Sequence, residues 1–168
     1  MQSISKLNTK VYFSAIHDDS NRLIATLSSR FAVITFPDWN LFPIQNEPAT
    51  SPQFSFDTTT GFVTYLNTAV ARSFSIQPSV CFSIPANFNM TYLILTLEQN
   101  GGLVEGEPFL TSCASATQAM VLSARYELVL APGDTLRMAC ALTLPDGESF
   151  VGTNNVTFIT AAWNIVAY

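Results

Sequence analysis

Apolar and polar residues alternate one for one along short stretches of this chain, and most stretches end at proline, glycine, asparagine or aspartate. A period of two puts every second side chain on one face of a strand, whereas a helix needs apolar residues three and four apart. The runs are Lys10 to Ile16 (KVYFSAI), Arg30 to Phe36 (RFAVITF), Gln53 to Phe56, Phe62 to Tyr65, Arg72 to Gln77 (RSFSIQ), Val80 to Ile84 (VCFSI), Thr91 to Gln99, Gln118 to Ser123, Tyr126 to Ala131 and Leu136 to Leu142. Between them stand Pro37, Asp57 to Gly61, Pro78, Asn100-Gly101-Gly102 and Pro132-Gly133-Asp134, residues that remove a donor or accept positive φ. This pattern predicts an antiparallel sandwich or barrel and excludes βαβ units. One short helix is expected at Ser20 to Ser29, where Leu23, Ile24 and Leu27 follow a cap at Asp19 or Ser20. Trp39 to Gln53 holds Pro43, Pro48 and Pro52 and reads as a long surface connection or edge segment.

The last run, Asn155 to Tyr168 (NVTFITAAWNIVAY), differs from the others. Strict alternation places Val156, Phe158, Ala162 and Val166 on one face and Ile159, Ala161, Trp163 and Ile165 on the other. A strand apolar on both faces is central and has something packed on its second side. Self-association is the economical covering; the alternative is a loop of the same chain around Trp39 and Phe42.

With 168 residues the chain suits one domain that buries about 70% of its unfolded surface, so no staples are required. We read residues 1–9 as an extension and 10–168 as the domain. Only 11% of residues are charged, against about 25% in ordinary soluble domains, and the polar remainder is mostly Ser, Thr, Asn and Gln. Net charge is −5, the lysines are Lys6 and Lys10, and the arginines stand singly at 22, 30, 72, 125 and 137. No basic patch exists for nucleic acid. No stretch approaches the roughly 20 apolar residues of a membrane helix, so no membrane insertion is expected. The N-terminus, MQSISKLNTKVYF, lacks an apolar signal-peptide region, which predicts cytoplasmic synthesis or a mature fragment with an added Met.

Chemistry has little to draw on. His17 is the one histidine, beside Asp18 and Asp19, and reads as part of a polar loop cluster; the spaced ligands of a calcium loop are missing. Glu98, Glu105 and Glu107 flank the Asn100 turn and read as solvated, although a carboxylate pair is also what glycoside hydrolysis uses. No nucleotide-binding or nucleophile-elbow motif is present. No catalytic residue, metal or cofactor is predicted. Cys81, Cys113 and Cys140 match no metal knuckle or redox pair; they read as buried free thiols, with one disulfide plus a spare thiol still open. Cys140 falls on the apolar face of its run. Two N-glycosylation sequons, Asn89-Met90-Thr91 and Asn155-Val156-Thr157, match the chance expectation of about two, and the second begins a strand expected to be buried, where a glycan would not fit.

Several pieces, in order, resemble the tumour-necrosis-factor and complement globular-head superfamily. KVYFSAI is similar to that family's opening strand and ITFPDWN, Ile34 to Asn40, to the short strand after it. FSFDTTTGFVTY, Phe54 to Tyr65, resembles its aromatic-Asp, Thr-Gly-Phe run. VCFSI, LTLEQNGG (Leu95 to Gly102), LVLAPGDTLRM (Leu128 to Met138) and the closing NVTFITAAWNIVAY follow in family order. RSFSI stands where the family usually has Gly-Tyr-Tyr-Phe, and the insertion near Pro43 is longer than the family's. The resemblance covers roughly Lys10 to Tyr168 and implies an all-β, two-sheet jelly roll of about ten strands that forms a homotrimer, with the last strand at the subunit contact. It assigns Phe158, Ile159, Ala161, Trp163, Ile165 and Tyr168 to the trimer interface. Recognition then falls to loops, with Trp39, Phe42, Glu105, Glu107 and Phe109 as candidates within 39–52 and 105–117. The function expected is a non-enzymatic structural or binding protein. The first expectation is a virion component (minor capsid, spike or decoration protein) that meets other virion proteins or a host-surface protein or glycan. The alternative is a secreted complement-head or tumour-necrosis-factor-like ligand, or a lectin-like head.

Overall fold

A computed structural model describes residues 11–18, 21–41, 53–67, 69–84, 91–104, 109–112, 119–144 and 146–167. These form two antiparallel seven-stranded sheets. The first contains β1 (Val11–His17), β2 (Leu23–Leu27), β4 (Trp39–Leu41), β7 (Arg72–Ser83), β11 (Met120–Ser123), β12 (Tyr126–Leu130) and β14 (Asn154–Ala167). The second contains β3 (Ala32–Val33), β5 (Phe54–Asp57), β6 (Phe62–Tyr65), β8 (Tyr92–Gln99), β9 (Gly102–Leu103), β10 (Phe109–Ser112) and β13 (Thr135–Thr143). Strand order is β11-β7-β14-β1-β4 in the first, with β12 also on β7 and β2 also on β14, and β10-β8-β13-β6-β5 in the second. The chain passes repeatedly from one sheet to the other, among other places between β6 and β7, β7 and β8, β10 and β11, and β13 and β14, the crossovers of a jelly roll.

The inner faces meet in one core. Phe13, Phe54, Tyr65, Phe74, Phe82 and Phe158 are buried there with Leu93, Leu95, Leu97, Leu136 and Leu142. Rings contact in edge-on or tilted pairs, for example Tyr65 on Phe74 at 5.1 Å and Phe36 on Phe158 at 5.5 Å. Cys140 is fully buried in β13, as its place in the alternation requires, and burial pushes its thiol up.

Three sequence expectations are corrected. Residues 23–27 form a strand on β14 instead of a helix. Leu23 and Leu27 lie four apart, a spacing that fits both periods, and the backbone hydrogen bonds offered by residues 154–158 decide between them; Ile24, which a helix would turn inward, is 66% exposed. The runs on either side of Pro78 are one strand, β7. Residue 78 faces Ala124, whose N–H donates to the Pro78 carbonyl at 3.0 Å, at the gap between β11 and β12, so the donor that proline lacks has no ladder partner to lose.

The third correction concerns β14 itself. Phe158 pairs with Phe82 and Thr160 with Cys81, so Ile159 is an extra residue in a β-bulge. Beyond it the parity inverts. Val156 and Phe158 before the bulge, and Ala161, Trp163 and Ile165 after it, all point into the same core, with exposures from 0 to 2%. The two apolar faces read from strict alternation are therefore one apolar face interrupted by one residue.

Candidate assembly face and recognition segments

The bulge hands the outer face of the first sheet to other residues. Past Ile159, β14 presents Thr160, Ala162, Asn164 and Val166 outward, all half-buried. Register sets their neighbours: Cys81 lies beside Thr160, with Val121 beyond it on β11, Ile16 and Ser79 flank Ala162, and Ser14 and Gln77 flank Asn164. Val121 and Val129, on β11 and β12, are 67% and 62% exposed on the same side. Among the described outward-pointing strand residues of this sheet, Glu127 is the one charged side chain, and Arg125 holds it at 2.8 Å at the sheet margin. The face is thus built of small hydroxyl, amide and aliphatic groups. Where β11 and β12 part, it carries a shallow groove of about 280 Å³ lined in part by Gln77, Ser79, Ser123, Arg125, Ala162 and Asn164.

Asn155 stands at the end of this face nearest β2. It is exposed, and its Oδ1 accepts a hydrogen bond from Thr26 Oγ1 at 2.9 Å, while Asn154 beside it is buried. The expectation that this sequon is inaccessible is corrected: the strand is central, but its alternation before the bulge turns Asn155 outward. Asn89 of the other sequon lies outside the described residues.

At one end of the sandwich, polar side chains tie two turns together. Asp134 accepts hydrogen bonds from Asn100 Nδ2 (2.8 Å), Gln99 Nε2 (3.1 Å) and the Ala131 N–H (2.9 Å). Asn100, at φ +53°, in turn accepts a hydrogen bond at its Oδ1 from the Thr135 N–H at 2.9 Å. Burial on its own would raise the Asp134 carboxyl, but the donors Asn100, Ala131 and Gln99 outweigh it and hold the group below its ordinary range. Next to this cluster Glu98 is paired with Arg137, whose guanidinium also lies 4.1 Å from the centre of the Phe62 ring. Glu98 is therefore no solvated loop carboxylate; its side chain is 13% exposed.

His17 is also displaced from its expected setting. It ends β1, is fully buried, and contacts Phe36 at 5.3 Å and Trp39 at 6.1 Å between ring centres. Its Nδ1 is hydrogen-bonded to the Pro37 carbonyl, which makes Nδ1 the protonated nitrogen. Among the described residues, no three His, Cys, Asp or Glu side chains gather as metal ligands, and no helix is long and apolar enough to cross a membrane. Cys81 and Cys140 are free thiols; Cys113 lies outside the described residues.

The sequence-derived site residues are dispersed. Of the interface set, Phe158, Ala161, Trp163 and Ile165 fill the core of a single chain, Ile159 is the half-buried bulge residue, and Tyr168 lies outside the described residues. Side chains buried inside one chain are not available for a second subunit to cover; the outward residues of the same strand are Thr160, Ala162, Asn164 and Val166. Of the recognition set, Trp39 belongs to edge strand β4 and packs on Phe36 and Phe56, and Phe109 belongs to β10, paired with Leu95. Neither is a loop residue. Phe42, Glu105 and Glu107 lie outside the described residues. The outward residues were present in the alternation; what hid them was the bulge.

Strand order, crossovers and a single aromatic-rich core together define a tumour-necrosis-factor-like jelly roll. Eiger TNF from S. frugiperda matches at 11% identity with a TM-score of 0.58, over 95% of this chain and 93% of that one. Murine APRIL matches at 10% identity with a TM-score of 0.51, over 95% and 99%. The globular domain of zebrafish complement 1qA superposes at 18% identity with a TM-score of 0.49, over 91% and 93%; the fold assignment rests on the first two. No protein-family model and no curated protein sequence matches the chain.

Proposed function

We propose that this protein is a non-enzymatic structural and recognition head that works as a homotrimer, assembled through the outer face of its first sheet. The observation that carries this reading is the near-absence of charge from that face. A sheet surface kept permanently in water is ordinarily studded with lysine, glutamate and arginine, whereas one that meets a second protein surface is depleted in them. Here half-buried Thr, Ala, Asn, Ser and Gln side chains fill the rows, and the Arg125–Glu127 pair sits at the margin. Small side chains also let two sheets approach closely.

Recognition is assigned to the sequence-derived segments 39–52 and 105–117. Their partners are proteins or glycans of a host surface, or neighbouring virion proteins. The setting first favoured is a virion, supported by the low lysine content and hydroxyl-rich strands. The second is an extracellular ligand head, supported by the likeness of fold to Eiger TNF and APRIL. Native mass spectrometry at micromolar concentration tests the assembly: a trimer is expected, and a monomer overturns it. Screening the purified protein on glycan and surface-protein arrays tests the recognition role, and binding that survives replacement of both segments overturns their assignment.

A further inference from the structure

We infer that Asn155 is a competent acceptor for an N-linked glycan, a modification site on the outer surface of the first sheet. The sequence condition is met by Asn155-Val156-Thr157. A sequon on a central strand is ordinarily unusable because half of its residues point into the core. Here the phase before the bulge puts Val156 inside, 0% exposed, and Asn155 outside. The adjacent Asn154 is 7% exposed, so a shift of one residue would bury the acceptor. Asn155 registers with Thr26 of β2, and the next outward residue of β2, Ile24, is 66% exposed, so the surface around the acceptor is open.

The transfer is chemically complete with one external reactant, a lipid-pyrophosphate-linked oligosaccharide. The Asn155 Nδ2 forms a bond to the anomeric carbon, the bond from that carbon to the pyrophosphate oxygen breaks, the lipid pyrophosphate leaves with the electron pair, and one amide proton is lost to base. After transfer the Asn155 Oδ1 remains able to accept from Thr26 Oγ1, and neither the β14–β2 ladder nor the core is altered.

Position relates this site to assembly. Asn155 and Ala162 are seven residues apart on one strand, on the order of 20 Å at about 3.3 Å per residue. A glycan at Asn155 therefore occupies the end of the face near β2 and leaves the rows around Thr160 to Val166 uncovered. It marks a limit beyond which that face does not meet another subunit. The acceptor inference stands on exposure and sequon and needs no trimer; its biological use rests on the extracellular setting proposed above.

The test is secretion of the full chain from eukaryotic cells behind a cleavable leader, with intact mass and peptide mapping before and after amidase treatment. One glycan-sized increase at Asn155 is expected, converted to aspartate by the amidase. It is lost in Asn155→Gln and in Thr157→Ala and retained in Thr157→Ser, with circular dichroism reporting that each variant is folded. Folded, secreted protein with an unmodified Asn155 overturns the inference, as does an increase that maps only to Asn89. Native mass of the same sample separates the two proposals. Modified monomer keeps the glycan site and overturns the assembly, whereas unmodified trimer does the reverse.

Discussion

Phe158 of β14 stands opposite Phe82 of β7, yet two residues later Thr160 stands opposite the immediate neighbour of Phe82, Cys81. That one-residue surplus at Ile159 sets which side chains of the longest strand belong to the core and which to the surface. Deleting Ile159 removes the surplus and forces either Ala161, Trp163 and Ile165 or Val156 and Phe158 outward. The deletion is expected to abolish cooperative thermal unfolding, whereas Ile159→Val, which keeps the count, costs about 0.5–1.5 kcal/mol or less. A deletion variant with an unchanged melting curve would show that the bulge does not fix the phase.

Side chains on the two sides of β14 are expected to separate stability from assembly. Trp163 is 2% exposed, and Trp163→Ala should cost about 3–5 kcal/mol through the cavity it leaves. Ala162 is half-buried on the outer face, and Ala162→Glu should leave the stability of the single chain within about 0.5 kcal/mol. The same substitution should convert trimer to monomer by light scattering. Retention of the trimer in Ala162→Glu would place the subunit contact elsewhere.

Thiol labelling reads the same surface without mutation. Cys140 is buried in β13 and should stay unlabelled in the folded protein. Cys81 is half-buried beside Thr160 and Val121. It should be labelled slowly in the assembled protein and at least tenfold faster in monomeric Ala162→Glu. Equal rates in the two proteins would argue that Cys81 lies outside the contact.

Asp134 links the turn at Asn100 to the turn before β13, so Asp134→Ala is expected to lower stability by about 1–3 kcal/mol. Partial solvent exposure favours the low end of that range. Because its folded carboxyl lies below its ordinary value of 3.8, the ionised form is what the native state favours. Its contribution is present above pH 3.8 and is lost as pH falls below that value. The gap in melting temperature between wild type and Asp134→Ala should therefore be largest near neutrality and narrow in acid; a gap independent of pH would contradict the assignment.

His17 offers a contrast with the reading of it as a polar loop residue. Its ring fills space against Phe36 and Trp39, and its Nδ1–H satisfies the Pro37 carbonyl. His17→Ala should destabilise the fold by about 2–4 kcal/mol, by analogy with other large-to-small core changes. His17→Phe retains the volume but leaves the carbonyl unpaired, at about 1–3 kcal/mol. Chemical denaturation of the two variants checks both figures.

The alternation was enough to give an all-β sandwich, its turns at Asn100 and Asp134, and the burial of Cys140, because a period of two and a positive-φ turn are local properties. Seven short motifs in order were enough to point to the jelly roll. Residues 23–27 were not legible, since Leu23 and Leu27 satisfy both periods and only pairing with β14 selects the strand. Nor was it legible that Glu98 meets Arg137, or that His17 enters the aromatic core, because both depend on contacts between residues far apart in sequence.

The phase of β14 is the clearest division between the two levels. Sequence by itself determined that Asn155 to Tyr168 is a run rich enough in apolar residues to be a central strand. Tertiary structure alone decided which of them the core receives, because a bulge has no fixed residue signature and arises where one strand must accommodate the length and pairing of its neighbour. That single decision turned Trp163 and Ile165 inward, left Ala162 and Asn164 on the outer face, and brought Asn155 to the surface.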